Sequence, residues 1–453
     1  MGDFVIHPAD NVQIDLASGH KFARREIRRG EKVIKYGFPI GSALCDIHPG
    51  EKVHTHNLIT DLSARQNYRY TSFKDDFPQE EPLFCSAFLR ENGEVGLRND
   101  VWIIPTVGCV NGVAEAIARE TGAFCFPHPY GCSQLGEDLK TTQKILCGLI
   151  RHPNAGGVLV LGLGCENNSI AALKEELGVF NEKRVRFLEA QSCRDEIAEG
   201  TSLVRALQAQ ADADRRGKVP VSRLVIGLKC GGSDGLSGIT ANPMVGRITD
   251  RFVSMGASAV LTEVPEMFGA EQILLDRCVS RDVFEKAVRM LNGFKDYFLS
   301  HHQSVSENPS PGNRAGGITT LEEKSLGCVQ KGGTAPVVDV LDTGDRALKK
   351  GLNLLNGPGN DPVALTNLTA AGCHLILFTT GRGTPLGAPV PTLKIATRSV
   401  LAEQKKNWID FDAQKGSDRE LLQLILETAN GAKTQNEKNA CREIAVFKDG
   451  VTL

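Results

Sequence analysis

The feature that most constrains the fold is an alternation, from about residue 85 onward, of short apolar runs and segments with a helical period. Apolar runs such as "VWIIPTVGC", "GGVLVLGLGC" and "RLVIGLKCGG" are separated by segments such as "VNGVAEAIARE" and "SIAALKEEL". This alternation is typical of βαβ units, because parallel strands need a crossover connection between them. The sequence therefore predicts an α/β fold with largely parallel sheets over most of the chain.

The first 70 residues lack this alternation. They contain short strand-like runs broken by Gly and Pro, among them "DFVIH", "KVIKYGFPIGSAL" and "KVHTHNLIT", which predicts a small β-rich module over residues 1–70. The charged stretch "TSFKDDFPQEEPLF" contains two prolines and predicts a linker over 71–84. For the remainder we predict an α/β domain with cysteine-ended strands over 85–235 and a C-terminal α/β domain over 236–453.

Charge and composition exclude several classes of protein. The 52 basic and 54 acidic residues leave a net charge of -2, so no global field attracts nucleic acid or an anionic membrane. No apolar run approaches the roughly 20 residues of a membrane helix, and the N-terminus does not resemble a secretory signal. The 13 cysteines are spread along the chain without a CxxC pair, so we expect reduced thiols and a cytoplasmic protein.

Four cysteines stand beside glycine at the ends of apolar runs: Cys109, Cys132, Cys165 and Cys230. Ligands gather at the carboxyl ends of strands in open α/β sheets, and soft thiolates favour iron, iron–sulfur clusters or zinc. We therefore expect at least two of the four to bind a metal or cluster, although separate buried or nucleophilic thiols remain an alternative. Seven others are expected to pack as small hydrophobic residues: Cys45, Cys85, Cys125, Cys147, Cys193, Cys278 and Cys441.

Histidines in the β-rich module are candidate ligands. His54 and His56 in "KVHTHN" stand two apart, and on a strand they would share one face. That spacing suits a metal or an anionic substrate, with exposed histidines as the alternative. His20 and Lys21 in "GHKF" raise the same question, and the lysine could bind a carboxylate.

Further polar groups follow the predicted strands of the C-terminal half. The stretch "LKCGGSDGLSGITANP" carries Lys229 and Asp234 but matches neither a phosphate-binding loop nor a dinucleotide fingerprint. Glu263 and Glu266 follow an apolar run in "TEVPEMFGAE", and either could be a base, a ligand or a helix cap. Thr380 and Arg382 lie on a glycine-rich turn, where an arginine could hold a carboxylate through two hydrogen bonds unless the segment is a plain tight turn.

Several of these motifs together resemble the altronate/galactarate dehydratase family. The string "GHKFA…IKYGFPIG…VHTHN" resembles its SAF-like N-terminal module. "RHPNAGGVLVLGLGCENN", "KCGGSDGLSGITANPMVGR", "TEVPEMFGAEQ", "NLLNGPGND" and "TTGRGTPLGAPVPTLKIAT" match its main body. The resemblance runs from about residue 4 to the C-terminus. The module is shorter after "DNVQIDL" than in relatives, and Arg314 replaces the usual lysine.

The resemblance implies a hydro-lyase of hexuronate catabolism that dehydrates a sugar acid, D-altronate, to 2-keto-3-deoxy-D-gluconate. It also implies a need for Fe²⁺, an iron–sulfur cluster or Mn²⁺, and a homodimer is one possible assembly. Dehydration of galactarate, carbon–sulfur cleavage of sulfolactate and carbohydrate binding without turnover stay open as alternatives. A nicotinamide oxidoreductase is disfavoured by the incomplete glycine pattern.

The candidate site residues fall into three groups. For the metal we expect Cys132, Cys165, Cys230, Cys109, His54 and His56. For acid–base chemistry, which a positioned side chain accelerates by about 10²–10⁴-fold, the candidates are Lys229, Glu166 and Glu263. For contacts with the substrate we expect His20, Lys21, Arg98, Asn99, Asp234, Arg314, Thr380 and Arg382.

Overall fold

The N-terminal part is a module of short antiparallel strands, as predicted. The computed structural model describes residues 3–63, 65–74 and 76–453. The module's strands form two sheets, of order β1-β2-β3-β6 and β4-β5-β7. Their bounds are β1 (Asp3–Phe4), β2 (Val12–Asp15), β3 (Lys21–Ala23), β4 (Lys32–Lys35), β5 (Phe38–Ala43), β6 (Lys52–Val53) and β7 (Leu58–Ile59).

The second part contains a four-stranded parallel sheet of order β11-β10-β12-β13 and a small antiparallel sheet of order β14-β8-β9. Its elements are β8 (Phe84–Leu89), β9 (Val95–Gly96), β10 (Asp100–Pro105), α1 (Asn111–Thr121), β11 (Phe124–Cys125), α2 (Gly136–Ile150), β12 (Ala155–Gly162), α3 (Ile170–Leu177), β13 (Val185–Glu189), α4 (Glu196–Asp212) and β14 (Arg216–Pro220).

The third part is built on a seven-stranded parallel sheet of order β17-β18-β16-β15-β19-β20-β21. Its elements are β15 (Val225–Cys230), α5 (Ala241–Ser254), β16 (Ser258–Leu261), α6 (Glu271–Leu275), α7 (Arg281–Ser300), α8 (Pro311–Ala315), α9 (Leu321–Cys328), β17 (Val337–Leu341), β18 (Gly351–Leu355), α10 (Asp361–Ala370), β19 (Leu375–Thr380), β20 (Thr392–Ala396), α11 (Ser399–Gln404), β21 (Phe411–Asp412), α12 (Asp418–Ala429) and α13 (Gln435–Lys438).

The central strands are apolar because the parallel sheets are covered on both faces. Every residue of β12, β15 and β19 is buried, as expected of parallel strands between helical layers. The α/β class and the β-rich module predicted from the sequence are thus confirmed. Within the described ranges, no helix combines the length and the apolar character that crossing a bilayer requires.

The predicted boundary between 235 and 236 cuts through the C-terminal sheet. Strand β15 pairs with β16 on one side and β19 on the other, so it lies in the middle of the seven-stranded sheet. The error has a physical origin, because β12 and β15 are both apolar runs that end in glycine and cysteine. Such a pattern identifies a buried strand but carries no information about which sheet the strand joins.

The strand order creates a crevice at the carboxyl edge of this sheet. The chain leaves β15 towards β16, whereas β19 lies on the opposite side of β15 and is followed by β20. The loops after β15 and β19 therefore run in opposite directions. In open α/β sheets such a topological switch point is where ligands bind, so this crevice is the first place to look for a functional site.

The N-terminal module is fastened to the third part by buried ion pairs on α9. Glu323 lies 2.7 Å from Lys21 and 2.8 Å from Lys35, and all three side chains are buried. Burial would raise the pKa of Glu323, but the two ammonium groups lower it to about 2. Thr60 of the module also donates to Glu322, at 2.9 Å. The module is therefore held rigidly against the C-terminal part.

Replacing Glu323 by Gln is expected to lower the free energy of unfolding by about 3–5 kcal/mol, because two buried lysines would lose their counter-charge. Since the folded-state pKa of Glu323 is depressed, this stabilisation is present above its unfolded value and is lost as the pH falls towards about 2. Denaturant titration at neutral pH measures the loss. Glu403→Gln, which removes an exposed pair with Lys415, is the matched control and should cost about 1 kcal/mol at most. Equal losses would contradict the assignment.

Candidate active site

A network of buried charges lies where β15 and β16 end. The Lys229 ammonium donates to Glu263, and it lies 2.7 Å from Asp361 Oδ1 at the start of α10. The Glu263 carboxylate also accepts the backbone N–H of Cys230 at 3.0 Å and lies 3.8 Å from Lys331 Nζ. These contacts join the ends of two neighbouring strands to a helix N-terminus.

A second part of the same network extends towards α9. Lys324 Nζ lies 2.8 Å from Glu266 Oε1. The other oxygen of Glu266 accepts from the thiols of Cys230 at 2.9 Å and Cys328 at 3.1 Å, and the two sulfur atoms are 3.4 Å apart. Lys331 Nζ lies 2.7 Å from the Cys230 sulfur. Thiols, carboxylates and ammonium groups are thus packed into one buried cluster.

The charges of this cluster cancel when both thiols are neutral. The cluster contains three ammonium groups and three carboxylates. The ammonium groups belong to Lys229, Lys324 and Lys331, and the carboxylates to Glu263, Glu266 and Asp361. Such cancellation is required because an isolated buried charge is costly. The hydrogen bond with Cys328, and then burial, raise the pKa of Cys230 well above that of an ordinary thiol. Cys230 therefore carries its proton.

The pKa values of two carboxyl groups in the network are shifted in opposite directions. Burial, and then the neighbouring Glu266, raise the pKa of Glu263 above its usual range. Burial acts in the same direction on Glu266, but the charge of Lys324 and then of Lys229 lowers its pKa far below the usual range. Burial alone would lower the pKa of Lys229, yet the charges of Glu263 and Asp361 raise it, so this lysine is an ammonium ion.

The backbone at Glu263 is held in an unusual conformation. Its φ of 71° and ψ of 61° lie in the left-handed region, which a residue with a side chain adopts rarely and at a cost of about 1–3 kcal/mol. The conformation turns the chain sharply after β16 and directs the carboxylate back at Lys229. Strain of this kind is concentrated at functional sites.

The network reaches solvent at Asp361. The side chain of Lys229 is fully buried, whereas that of Asp361 is 33% exposed. Gly231 and Gly232 follow β15 without side chains, and a Cβ on Gly231 would lie 2.7 Å from Asp361 Oδ2. Arg382, in the loop after β19, is exposed beside Gly232. The crevice at the switch point thus presents a carboxylate, a guanidinium and bare backbone.

Asp234, predicted to contact the substrate, is bound within the loops that form the crevice. Its carboxylate accepts from Arg398 Nε at 2.6 Å and from the Thr397 hydroxyl at 3.1 Å. Arg398 also donates to backbone oxygens of the N-terminal module. Thr380 is likewise engaged, since its hydroxyl accepts the N–H of Gly383 at 2.8 Å. Asp234 and Thr380 therefore stabilise the loops of the crevice through these hydrogen bonds.

The module places His20 and His54 next to α8. Their rings lie 5.6 Å apart, and His54 Nε2 lies 2.9 Å from the carbonyl oxygen of Arg314, whose own side chain is exposed. The predicted strand through His54 and His56 is wrong, because β6 ends at Val53 and the histidines follow in a turn. Neither histidine belongs to the buried cluster of thiols and carboxylates.

The remaining strand-end thiols lie at a different sheet. Cys109 follows β10, Cys132 follows β11 and Cys165 follows β12, and all three are exposed at the carboxyl edge of the four-stranded sheet. Glu166 is buried there. Its carboxylate accepts the Thr106 hydroxyl at 2.6 Å and two backbone N–H groups of its own loop.

This division corrects two predicted groupings. A single metal site formed by Cys132, Cys165 and Cys230 does not exist, because Cys230 is buried in the other sheet among lysines and carboxylates. Glu166 likewise does not join Lys229 and Glu263. The sequence pattern is the same at each strand end, but the strands belong to two separate sheets.

Three further predicted contacts with the substrate are parts of the framework. Arg98 is buried and pairs with Glu437 at 2.7 Å. The Asn99 amide donates to the carbonyl oxygen of Ala211 at 2.7 Å. Lys21 is the buried partner of Glu323 described above. Because their polar atoms are committed to the protein interior, these three side chains are not available to a ligand.

The site also contains residues that sequence reasoning missed, namely Lys324, Cys328, Lys331, Asp361 and Arg398. Glu266 was noticed in the sequence but not selected. Charged residues in "TLEEKSLGC" are typical of a solvated helix face, so this segment gives no local sign of burial. A usable signal was "GPGNDP", in which a helix begins at Asp361 directly after the apolar β18.

The iron implied by the resemblance can be compared with two sets of donors. In the first, one ligand atom each of Cys230, Glu266 and Cys328 lies within 4.8 Å of the others. However, Lys331 and Lys324 place ammonium groups 2.7 and 2.8 Å from this set. They already supply the positive charge that a divalent ion would bring, so the buried set does not fit a metal.

The second set, the exposed thiols of Cys109, Cys132 and Cys165, fits iron better. Thiolates are soft donors that select iron or iron–sulfur groups over magnesium or calcium. All three lie at the edge of a parallel sheet where ligands gather, and none is paired with a carboxylate or ammonium group among the described residues. If iron binds this chain, these thiols are the donors that the structure offers.

Family profiles match the three parts of the chain separately. The altronate/galactarate dehydratase SAF domain matches residues 9–61. The second domain of D-galactarate dehydratase/altronate hydrolase matches 87–212, and the C-terminal domain of D-galactarate/altronate dehydratase matches 221–452. The last match covers more than half of the chain and begins just before β15.

Full-length relatives agree with these profiles. The chain is 52% identical to an altronate dehydratase of Bacillus subtilis (strain 168), over 98% of this chain and 93% of that protein. It is 54% identical to an altronate dehydratase of Escherichia coli (strain K12), over 97% and 93%. A galactarate dehydratase (L-threo-forming) of the same strain is 31% identical over 95% and 90%. The chain therefore belongs to the altronate/galactarate dehydratase family.

Proposed function

We propose that this chain is a hydro-lyase that dehydrates D-altronate to 2-keto-3-deoxy-D-gluconate. Two altronate dehydratases at 52% and 54% identity over nearly the whole chain support the substrate. The structural observation that supports the chemistry is the buried network of charges that opens at Asp361 into the crevice of the switch point. We place the reaction at this crevice.

The reaction needs a base, and the network offers one. Dehydration breaks the C2–H bond and the C3–O bond. The C2 proton is transferred to a base, hydroxide leaves C3 as water after gaining a proton, and the resulting enol tautomerises to the 2-keto acid. Asp361 is the network carboxylate at the crevice, so we assign it the C2 proton. Lys229, an ammonium ion at 2.7 Å, stabilises the negative charge that develops as the proton leaves.

The substrate carboxylate needs a cation outside the network. Arg382 and Arg314 are exposed at the crevice and the module interface, and an arginine can bind a carboxylate through two parallel hydrogen bonds. We assign the carboxylate to Arg382, because its loop follows β19 at the switch point. The exposed thiols suit a reducing compartment, so we propose a cytoplasmic enzyme.

Asp361→Asn is expected to lower kcat by about 10²–10⁴-fold with little change in KM, because the amide cannot accept the C2 proton. Steady-state assays of keto-deoxy acid formation from D-altronate measure this. Asp418→Asn, which loses a surface pair with Arg247, is the matched control and should retain activity. A variant with normal kcat would refute the role of Asp361. Galactarate and sulfolactate assayed in parallel test the alternative substrates.

Arg382→Gln is expected to raise KM for D-altronate by about 10–100-fold, since a charge-assisted hydrogen bond contributes about 1.5–3 kcal/mol. The change in kcat should be smaller, because the carboxylate is bound in both the ground state and the transition state. Arg419→Gln on the outer surface of α12 is the control. If both variants show the same KM as the parent, another group holds the carboxylate.

A further inference from the structure

One buried lysine differs from all the others in having no acidic partner. Seven lysines are buried in the described chain, and six of them form ion pairs with carboxylates, namely Lys21, Lys35, Lys229, Lys295, Lys324 and Lys331. The seventh is Lys394 on β20. Its side chain is 0% exposed, and its ammonium group has no hydrogen-bond acceptor among the described residues. Because an unpaired buried charge is costly, such a position is a candidate for a functional role.

The carboxylates that act on Lys394 bind other groups. One oxygen of Asp410 accepts the backbone N–H of Lys394 at 2.8 Å, and its other oxygen accepts a second backbone N–H. Asp361 binds the ammonium group of Lys229 at 2.7 Å. Burial lowers the pKa of Lys394 to about 8, although the charges of Asp410, Cys441 and Asp361 act in the opposite direction. At pH 7 this side chain is therefore mainly an ammonium ion without a counter-charge of its own.

Lys394 lies in a row of three side chains across the switch point. Lys229 on β15 pairs with Phe378 on β19, and Phe378 pairs with Lys394 on β20. Residues in register on adjacent parallel strands direct their side chains to the same face of the sheet, and the strands are about 4.8 Å apart. This is the face on which Lys229 meets Asp361 at the start of α10. Lys394 is thus two strands away from the network, on the same face of the sheet.

The Phe378 ring connects Lys394 with the crevice. Its centroid lies 5.5 Å from Lys229 Nζ and 5.7 Å from Lys394 Nζ, and an aromatic face attracts a cation. The tip of the ring reaches the wall of the crevice, since a Cβ on Gly231 would lie 2.6 Å from Phe378 Cζ and 2.7 Å from Asp361 Oδ2. The charge of Lys394 is therefore next to a ring that borders the crevice.

A charge in this position acts on an anion in the crevice without touching it. Coulomb interactions are stronger through protein than through water, because the effective dielectric constant is about 20 rather than about 80. The three ammonium groups and three carboxylates of the network cancel one another. Lys394 adds a positive charge that no carboxylate offsets. A sugar acid carries one negative charge, and loss of its C2 proton creates a second.

We propose that Lys394 provides a fixed positive charge that stabilises the anionic sugar acid in the crevice, and stabilises still more the doubly negative state formed when the C2 proton leaves. The residue acts through its field, across the Phe378 ring, while Asp361 and Arg382 keep the roles given above. A bound anion stabilises the ammonium form, so the unfavourable burial of this charge is offset in the complex. The inference rests on the proposed function, which supplies the class of substrate.

Lys394→Met distinguishes this role from a structural one, since methionine is an uncharged side chain of similar length. Because the folded-state pKa of Lys394 is lowered, its charge destabilises the folded state fully below about pH 8, and the effect decreases as the pH rises towards the ordinary value of 10.5. We therefore expect the variant to have a higher denaturant midpoint at pH 7, by a margin that is smaller at high pH. We expect its kcat/KM for D-altronate to fall about 10–100-fold.

Lys295→Met is the matched control. Lys295 is also fully buried and lies 5.0 Å from the centroid of the Phe268 ring, but it pairs with Glu271 at 2.7 Å. Its replacement leaves Glu271 without a counter-charge, so the denaturant midpoint should fall. The folded fraction of this variant should keep the kcat/KM of the parent, because Lys295 lies outside the network and the crevice.

The pH dependence of the parent protein gives a second measurement. As Lys394 loses its proton above about pH 8, KM for D-altronate should rise in the parent and stay level in Lys394→Met. The other titratable groups that act on Lys394 are Asp410, Cys441 and Asp361. Burial raises the pKa of Asp410 to about 6, which is below this range. Cys441→Ser removes the thiol from this set and should retain the rise in KM.

The possible outcomes separate this inference from the proposed function. A Lys394→Met variant that is less stable than the parent, or that does not fold, would make Lys394 a structural residue. A more stable variant with unchanged kcat/KM would show that the crevice does not use its charge. Absence of turnover of D-altronate by the parent would count against the proposed function instead. The comparison of denaturant midpoints uses no substrate and tests the unpaired charge in either case.

Discussion

The arrangement of the C-terminal part depends on the pairing of three ammonium groups with three carboxylates, of which Asp361 alone is partly exposed. The buried members of this set cannot remain charged in the interior without their partners, so the elements that carry them are held in register. Lys229 fixes the end of β15, Glu263 the end of β16, and Asp361 the start of α10. Helix α9 completes the set through Lys324. The shape of the crevice is thus a consequence of charge pairing.

Helix α9 couples this network to the N-terminal module. Three consecutive residues of this helix have different partners: Glu322 accepts from Thr60, Glu323 pairs with two module lysines, and Lys324 pairs with Glu266. Any displacement of the module would therefore act on the helix that supports the crevice. A small β-rich module is thus connected through one helix to a site whose charged groups belong to the other end of the chain.

The sequence predicts those parts of the fold and of the site that depend on neighbouring residues in the chain. Apolar runs identify the central strands, and residues that follow them, such as Lys229 and Glu263, are recognisable as candidates by position alone. The burial of the segment "LEEKSLGC" cannot be predicted in this way. Its charged residues are typical of a solvated surface, yet all eight residues are buried. Their counter-charges come from segments that are distant in the sequence. Pairings such as Lys21 with Glu323 have no local signature.

The cysteines at strand ends show a further limit of prediction from sequence motifs. Cys165 and Cys230 follow nearly identical sequence patterns, but they belong to different sheets and meet different chemistry. Cys230 is buried between Glu266 and Lys331, where a raised pKa keeps it protonated. Cys165 is exposed, and the adjacent carboxylate is turned away from it. An accessible sulfur without a neighbouring ammonium group is open to an external ligand, whereas a protonated thiol hydrogen-bonded to a buried carboxylate is not. The environment, rather than the motif, therefore distinguishes the two thiols.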